Sequence, residues 1–392
     1  MTFQRPTQID PGALLGVLGG GQLGAMFAVA ARRLGYRIAV WDPDVAAPAH
    51  GIADRSITRP FSDENGVAQF LDGLAAVTYE WENVPAALCE RLAAVVPVRP
   101  GCQVLRTIQH RVEQKRFLTG CGLPVAAYAD IRSAGDVDRV AAIGYPCILK
   151  TATTGYDGKG QWRVETPADL GSIKNMLPVH PIEGRSWIVE SVVPFVRELS
   201  VLIALGCDGR SIVYPAVENV HERGILRMTS VPAPVTSEVS ERAQRMSAAA
   251  VSALNSPGVY CVELFQSADG SLLINEIAPR PHNSGHYTLD ACTVSQFEQQ
   301  VRALCGLPLG EARLTTPATM INLLGEEAVR MSRAEHLAAL LAEPGTHLHV
   351  YRKREIRPGR KMGHVTVTGE TAETVRARAA MLLARLHQAV AS

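Results

Sequence analysis

Two glutamates that face each other across a tight turn are the first residues to suggest chemistry. Ser267-Ala268-Asp269-Gly270-Ser271 separates two apolar, strand-like runs, Tyr260 to Phe265 and Leu272 to Ile277. Asp-Gly is the favoured centre of a two-residue type I′ hairpin. With Asp269 and Gly270 as that centre, Glu263 lies directly opposite Glu276, their Cβ atoms about 4.5–5.5 Å apart. Carboxylates so placed repel unless a cation lies between them or one is protonated. Magnesium is the expected cation, since one or two carboxylates plus substrate phosphates are its usual ligands, and Asn275 stands beside them. The alternating Val262, Leu264, Ile274 and Ile277 leave little room for a hairpin whose glutamates merely face water.

Other groups point to phosphate. The stretch from Thr153 to Gln161, with glycines at 155, 158 and 160, follows a strand ending at Lys150. Such a backbone can close over a triphosphate while Lys150 and Lys159 supply cations. A plain hairpin loop rarely needs both lysines. Pro279 to His286 follows the second acidic strand; its His282 and His286 have a zinc-like spacing only on a helix, which Pro281 and Gly285 oppose. A loop offering Arg280, His282 and Asn283 to a small oxyanion beside the metal is the better reading. Gly19 to Gly24 satisfies G-x-G-x-x-G, and Asp42 ends the next strand. Taken literally this is a dinucleotide fingerprint, so an NAD-dependent oxidoreductase is the first rival, although a different phosphate ligand is favoured over it. Glu190 and Glu198 could hold adenine and ribose groups, but on their own read as surface acids. Arg352, Lys353, Arg354, Arg357, Arg360 and Lys361 crowd around Pro358-Gly359 with only Tyr351 nearby. Without interleaved aromatics, a single phosphate ester is expected there rather than nucleic acid.

These residues need elements to hold them. At 392 residues the chain is long for one domain. Its 47% hydrophobic content supports a sizeable core, and 39 basic against 38 acidic residues leave no whole-molecule field for nucleic acid or anionic lipid. The opening alternates as β/α units do: a strand Leu14 to Leu18, a glycine turn, a helix to about Leu34, a strand Arg37 to Trp41. Another strand, Ala75 to Thr78, runs into Glu80 to Asn83, with a helix after Pro85. Ligands of such sheets sit at the carboxyl ends of strands. Past about residue 106 strand-like runs dominate, including Pro146 to Lys150, Trp187 to Glu190, Glu198 to Leu205 and Ser211 to Val217, with one long helix from about Ser237 to Leu254. After Gly310 come a strand (Met320 to Leu324), a helix (Ala334 to Leu341), a basic hairpin-like stretch (His347 to Val367) and a closing helix from about Glu373. The 8 cysteines include no Cys-x-x-Cys pair, which suits a reducing cytoplasm. Gly12 to Ala31 would imitate a secretory signal, but its glycines interrupt the apolar core. No apolar run is long enough to span a membrane.

In order along the chain, Gly-Gln-Leu-Gly at 21–24, Tyr-Asp-Gly-Lys-Gly at 156–160, Asn-Glu-Ile-Ala-Pro-Arg at 275–280, His-Asn-Ser-Gly-His at 282–286 and Arg-Pro-Gly-Arg-Lys-Met-Gly-His at 357–364 resemble the 5-(carboxyamino)imidazole ribonucleotide synthases, ATP-grasp ligases of purine biosynthesis. The resemblance runs from about Gly16 to about Val367. It implies an α/β and α+β chain: an N-terminal Rossmann-like parallel-sheet domain (1–106), an ATP-grasp domain (107–310) and a small C-terminal domain (311–392). It implies ATP, two Mg²⁺ ions, a homodimer, and carboxylation of the amine of 5-aminoimidazole ribonucleotide with bicarbonate. Position by position, Arg111, Lys150, Gly155, Gly158, Lys159, Gly160, Gln161, Glu190, Ser191, Val192, Val193, Glu198 and His221 match ATP contacts. Glu263 and Glu276 match the metal ligands, with Asn275 beside the phosphates. Gln22, Leu23, Glu80, Asn83, Tyr156, Asp157, Lys353 and Arg360 match ribonucleotide contacts, and Arg280, His282 and Asn283 the bicarbonate side. Asp157 is the expected acceptor of the amine proton, oriented by Tyr156. Two departures from the pattern stand out: Ala25 where Arg is frequent, and His110 where Asp commonly precedes the residue matching Arg111. Rival readings are a non-catalytic nucleotide sensor and an ATP-grasp ligase using formate or another amine.

Overall fold

The computed structural model describes residues 8–153, 160–182, 185–331 and 333–391. Its first part is built from β1 (Leu14–Leu18), α1 (Gln22–Arg33), β2 (Arg37–Trp41), β3 (Arg55–Ile57), α2 (Glu64–Leu71), β4 (Leu74–Tyr79) and α3 (Ala86–Ala93). The strands form a parallel sheet in the order β3-β2-β1-β4. β1 is buried on both sides, as a parallel strand covered by helices must be. Its alternate residues feed different cores: Leu14 and Leu18 join Trp41 and Phe70, whereas Leu15 and Val17 join Phe27 and Ile38. The second core also takes in Phe297, Val301 and Leu304, so this sheet is packed onto a helix from much later in the chain.

Next come α4 (Cys102–Gln109), α5 (Arg111–Gly120), β5 (Tyr128–Ile131), α6 (Val137–Ile143), β6 (Cys147–Thr151), β7 (Gln161–Val164), α7 (Leu170–Met176) and β8 (Trp187–Ser191). The sequence boundary at 106 falls inside α4. Cys89 on α3 and Cys102 on α4, 13 residues apart, form a disulfide that no short-spacing rule would find. β5-β8-β6-β7 is a small antiparallel sheet with its own core around Ile131, Val140, Leu149 and Val189.

The remaining elements are β9 (Phe195–Leu205), β10 (Ser211–Val213), β11 (Val217–Glu222), β12 (Ile225–Val231), α8 (Ser237–Leu254), β13 (Gly258–Ser267), β14 (Leu272–Ala278), α9 (Thr288–Ala291), α10 (Gln296–Cys305), β15 (Ala318–Leu324), α11 (Glu326–Met331), α12 (Ala334–Ala342), β16 (Thr346–Val350), β17 (Lys361–Thr368) and α13 (Ala372–Ala391). One sheet runs β14-β13-β9-β11-β12-β15-β17-β16, with β10 also on β9. The piece that the sequence separates after Gly310 therefore continues the middle sheet, because Met228 to Val231 of β12 pair with Ile321 to Ala318 of β15. The strand expected over Ser211 to Val217 is two. Val213 faces Ile203 and Val217 faces Ser200, so one side advances a residue further than the other, and the surplus breaks the ladder. The helix expected from Ser237 to Leu254 is found with those bounds: Thr236 accepts from the Val239 N–H, and Asn255 closes it in the left-handed region (φ 47°). Among the described residues no helix is long and apolar enough to cross a membrane.

Candidate active site

Glu263 does face Glu276, but not through the turn that the sequence suggests. The Ser267 N–H donates to Ser271 O at 3.0 Å, the Gly270 N–H to Ser267 O at 2.9 Å, and of the turn residues only Gly270 has positive φ (81°). This is a three-residue loop with Gly270 in the left-handed position, not a type I′ turn. It shifts the pairing by one residue, so Leu264 faces Ile274. A bulge at Asn275 then shifts it back. The bulge has a consequence for side-chain direction. Leu272 and Ile274 lie in the core with Tyr260, Val262 and Leu264, and strict alternation would send Glu276 in after them. The extra residue reverses the phase: Ile277 takes the core place, and Glu276 turns to the cleft beside Glu263. Burial, and then the facing carboxylate of Glu276, push the Glu263 carboxyl up to about 8. A hard divalent cation would relieve both effects, so the donor set fits Mg²⁺.

The cleft between the first sheet, the small sheet and this hairpin has a volume of about 670 Å³. Glu190, read from sequence as a surface acid when taken alone, is buried at its edge between Lys115 Nζ (2.9 Å) and Lys150 Nζ (2.5 Å). Burial opposes its charge, but the two ammonium groups prevail and hold its carboxyl down at about 2. Lys115 also donates to the bulge carbonyl of Asn275 at 3.0 Å. Arg111 is placed by its N–H on Ala152 O and its Nη1 on Thr151 O, both 2.8 Å, at the end of β6. The His110 departure keeps the cap it replaces, since Nδ1 accepts from the Glu113 N–H at 3.4 Å while Nε2 lies 3.0 Å from Ser186 Oγ. Glu198 lies 3.1 Å from His221 Nδ1. Burial lowers the His221 pKa, yet Glu198 outweighs it and the net shift is upward.

On the opposite wall, His282 Nδ1 accepts from the Ser284 N–H at 3.3 Å, so in the neutral ring Nε2 carries the proton, 3.3 Å from Glu263 Oε1. Burial first, then Arg280, hold His282 well below its usual pKa. Arg280 forms a two-point ion pair with Glu82. The buried Asn283 amide donates to Asn322 Oδ1 (3.0 Å) and accepts from Asn322 Nδ2 (2.7 Å).

The first glycine turn binds anions, but they are the protein's own. Glu80 accepts from the N–H groups of Gly21 and Gly24, and Asp42 from that of Gly20 at 2.6 Å. The structure does not bear out a phosphate reading of this turn, dinucleotide or other: carboxylates occupy the N–H groups of Gly20, Gly21 and Gly24 around the start of α1. Burial raises the Glu80 pKa, partly offset by those bonds.

Of the residues singled out from sequence, Gln22, Leu23, Glu80, Asn83, Arg111, Lys150, Gln161, Glu198, His221, Glu263, Asn275, Glu276, Arg280, His282 and Asn283 line this one cleft. Gly160 (φ 72°) abuts Thr151, and Ser191 to Val193 form the passage from β8 to β9. Lys353 lies over the Tyr351 ring (5.7 Å), near enough to lower the Glu80 pKa, and Arg360 is 3.3 Å from Glu355. Gly155, Tyr156, Asp157, Gly158 and Lys159 lie outside the described residues. Sequence reasoning missed Lys115, although it sits one helical turn after Arg111. It also missed the cleft residues Glu82, Gln109 and Lys361, and the stacked pair Phe195–Phe265 with ring centroids 4.7 Å apart.

Comparison with known proteins gives three family matches: the ribonucleotide synthetase preATP-grasp domain over residues 13–109, the ATP-grasp domain over 116–297 and the phosphoribosylaminoimidazole carboxylase C-terminal domain over 318–378. The N5-carboxyaminoimidazole ribonucleotide synthase of Bacillus subtilis is 39% identical, covering 91% of this chain and 92% of that protein. A crystal structure of such a synthetase in complex with ADP superposes with a TM-score of 0.90 at 38% identity, over 97% of this chain and 99% of the other. The Aspergillus clavatus synthase, in complex with ADP and 5-aminoimidazole ribonucleotide, gives 0.85 at 32% identity, over 96% and 99%.

Proposed function

The chain belongs to the N5-carboxyaminoimidazole ribonucleotide synthase family of ATP-grasp ligases, and from that premise we propose how its cleft carries out the reaction. The enzyme uses ATP and bicarbonate to carboxylate the amine of 5-aminoimidazole ribonucleotide. The observation that carries the assignment to these residues is the Glu263–Glu276 pair, aligned by the Asn275 bulge and open to the cleft.

Glu263 and Glu276 would hold Mg²⁺, which when bound would draw charge from the phosphates of ATP. Lys150 and Arg111 flank the triphosphate, and Lys115 with Glu190 fixes the Lys150 ammonium. Phe195 and Phe265 offer an apolar stack to the base, beside Glu198 and His221. A bicarbonate oxygen attacks the γ-phosphorus and ADP departs, giving carboxyphosphate; Arg280 and neutral His282 steady the anion. The ribonucleotide nitrogen then bonds to the carboxyl carbon, phosphate leaves, and Asp157, oriented by Tyr156, takes the amine proton. Gln22, Leu23, Glu80 and Asn83 hold the ribonucleotide, with Lys353 and Arg360 on its phosphate. We further propose three units that meet near residues 106 and 310, the first boundary falling at α4 and the last unit adding its strands to the sheet of the second, together with a homodimer and a cytoplasmic location.

The test is phosphate release by purified protein with each substrate omitted in turn. Turnover is expected to need ATP, bicarbonate and aminoimidazole ribonucleotide together. Formate replacing bicarbonate at full rate would overturn the assignment.

A further inference from the structure

Glu82 forms a two-point ion pair with Arg280 across the cleft. It follows β4 in the segment that carries Glu80 and Asn83, and its partner Arg280 lies 198 residues away, just past β14. Arg280 spends Nε–H and one Nη2–H on the Glu82 carboxylate, the latter at 2.9 Å, and one Nη1–H on Pro281 O at 3.1 Å. A guanidinium has five N–H groups in one plane. Among the described residues, Arg280 therefore keeps one free N–H on each terminal nitrogen, and it lines the cleft. Two coplanar donors match two oxygens of a planar carboxylate-like anion.

Glu82 is itself held. Its backbone carbonyl accepts from Gln109 Nε2 at 2.7 Å, and the same amide reaches Val84 O at 2.7 Å. Burial works to raise the Glu82 pKa, but Arg280 outweighs it, so the carboxyl is kept ionised. The side chains are only 28% (Glu82) and 15% (Arg280) exposed, which makes this more than a screened surface pair.

We propose that Glu82 is a positioning residue for the reaction: it sets the plane of the Arg280 guanidinium so that its remaining donors meet bicarbonate and the carboxyphosphate made from it. This rests on the function proposed above. Because the clamp comes from the segment that also carries Glu80 and Asn83, the binding places of the acid and of the amine share one mechanical support.

The test uses the full-length protein with Mg²⁺ and saturating ATP and ribonucleotide, and measures initial rates against bicarbonate. Glu82→Gln keeps the shape and removes the charge. It should raise the bicarbonate KM at least about tenfold, as expected when a catalytic group is turned slightly out of place, with the ATP KM within about twofold of wild type. Glu82→Asp keeps the charge and should recover part of the loss; it also serves as the test should Glu82→Gln fold poorly. A bicarbonate KM unchanged in both variants, or KM values for all three substrates rising in step with a loss of melting temperature, overturns the proposal and leaves Glu82 a tie between two parts of the fold. If wild-type protein releases no phosphate with bicarbonate, the proposed function falls instead, and that result is read before either variant is assayed.

Discussion

A carboxyl pushed upward by burial and by a facing carboxylate stabilises the fold only while it holds its proton. Glu263, raised from 4.5 to about 8, therefore contributes fully below about pH 4.5, and that contribution is lost as pH rises through about 8. In chelator, the melting temperature should fall by about 3 °C or more between pH 6 and pH 9. The fall should vanish in Glu263→Gln and shrink with Mg²⁺ and ATP; an identical slope in Glu263→Gln would show that the pair is not its source. Glu276→Ala should abolish bicarbonate-dependent phosphate release, and turnover unaffected by it would remove the metal assignment. Arg360→Ala should raise the ribonucleotide KM about tenfold or more while sparing that for ATP, and the reverse ordering would refute the phosphate grip. The acidic pair was legible in the sequence because turn chemistry and alternation are local signals. Glu82 was not, because nothing near it in the chain foretells a partner beyond the far end of β14. The burial of Glu190 was equally hidden, since it depends on Lys115 from a separate helix.

At the scale of elements, α5 starts on a histidine. His110 caps it only while Nδ1 is unprotonated, and burial lowers its pKa from 6.5. A lowered histidine contributes stability above about 6.5, and the contribution is lost as pH falls below that value. His110→Ala should cost about 1 kcal/mol at neutral pH. His110→Asp should restore a cap that also suits the helix dipole and should flatten the melting-temperature decline between pH 7 and pH 5.5; an unchanged decline would place its origin elsewhere. The hairpin shows how far pattern reading reaches. It put Glu263 opposite Glu276 through a two-residue turn, whereas the chain uses a three-residue loop and a bulge whose single-residue shifts cancel. The helix Ser237–Leu254 was readable close to its ends, and in the structure Thr236 and Asn255 close it. The break between β10 and β11 was not, because it depends on the neighbouring strand β9.

In the whole molecule, the large sheet runs unbroken from the acidic hairpin to the basic one, while the small sheet β5-β8-β6-β7 keeps its own core. Cooperative opening follows such divisions. Hydrogen exchange should therefore be faster in β6 and β7 than in β9 and β13, and MgATP should slow it in the small sheet first; uniform protection of both sheets would count against a separately moving cover. The three-part order was visible from sequence, but the shared sheet was not, because strand pairing between β12 and β15 leaves no trace in spacing.

The glycine turn is capped from within by Glu80. A guest arriving at that corner meets an acid already immobilised by main-chain donors, so grasping it there requires little further loss of freedom. The same occupancy bars a dinucleotide from adopting the turn, and freeing it by removing Glu80 would also dismantle the corner that the ribonucleotide is proposed to use.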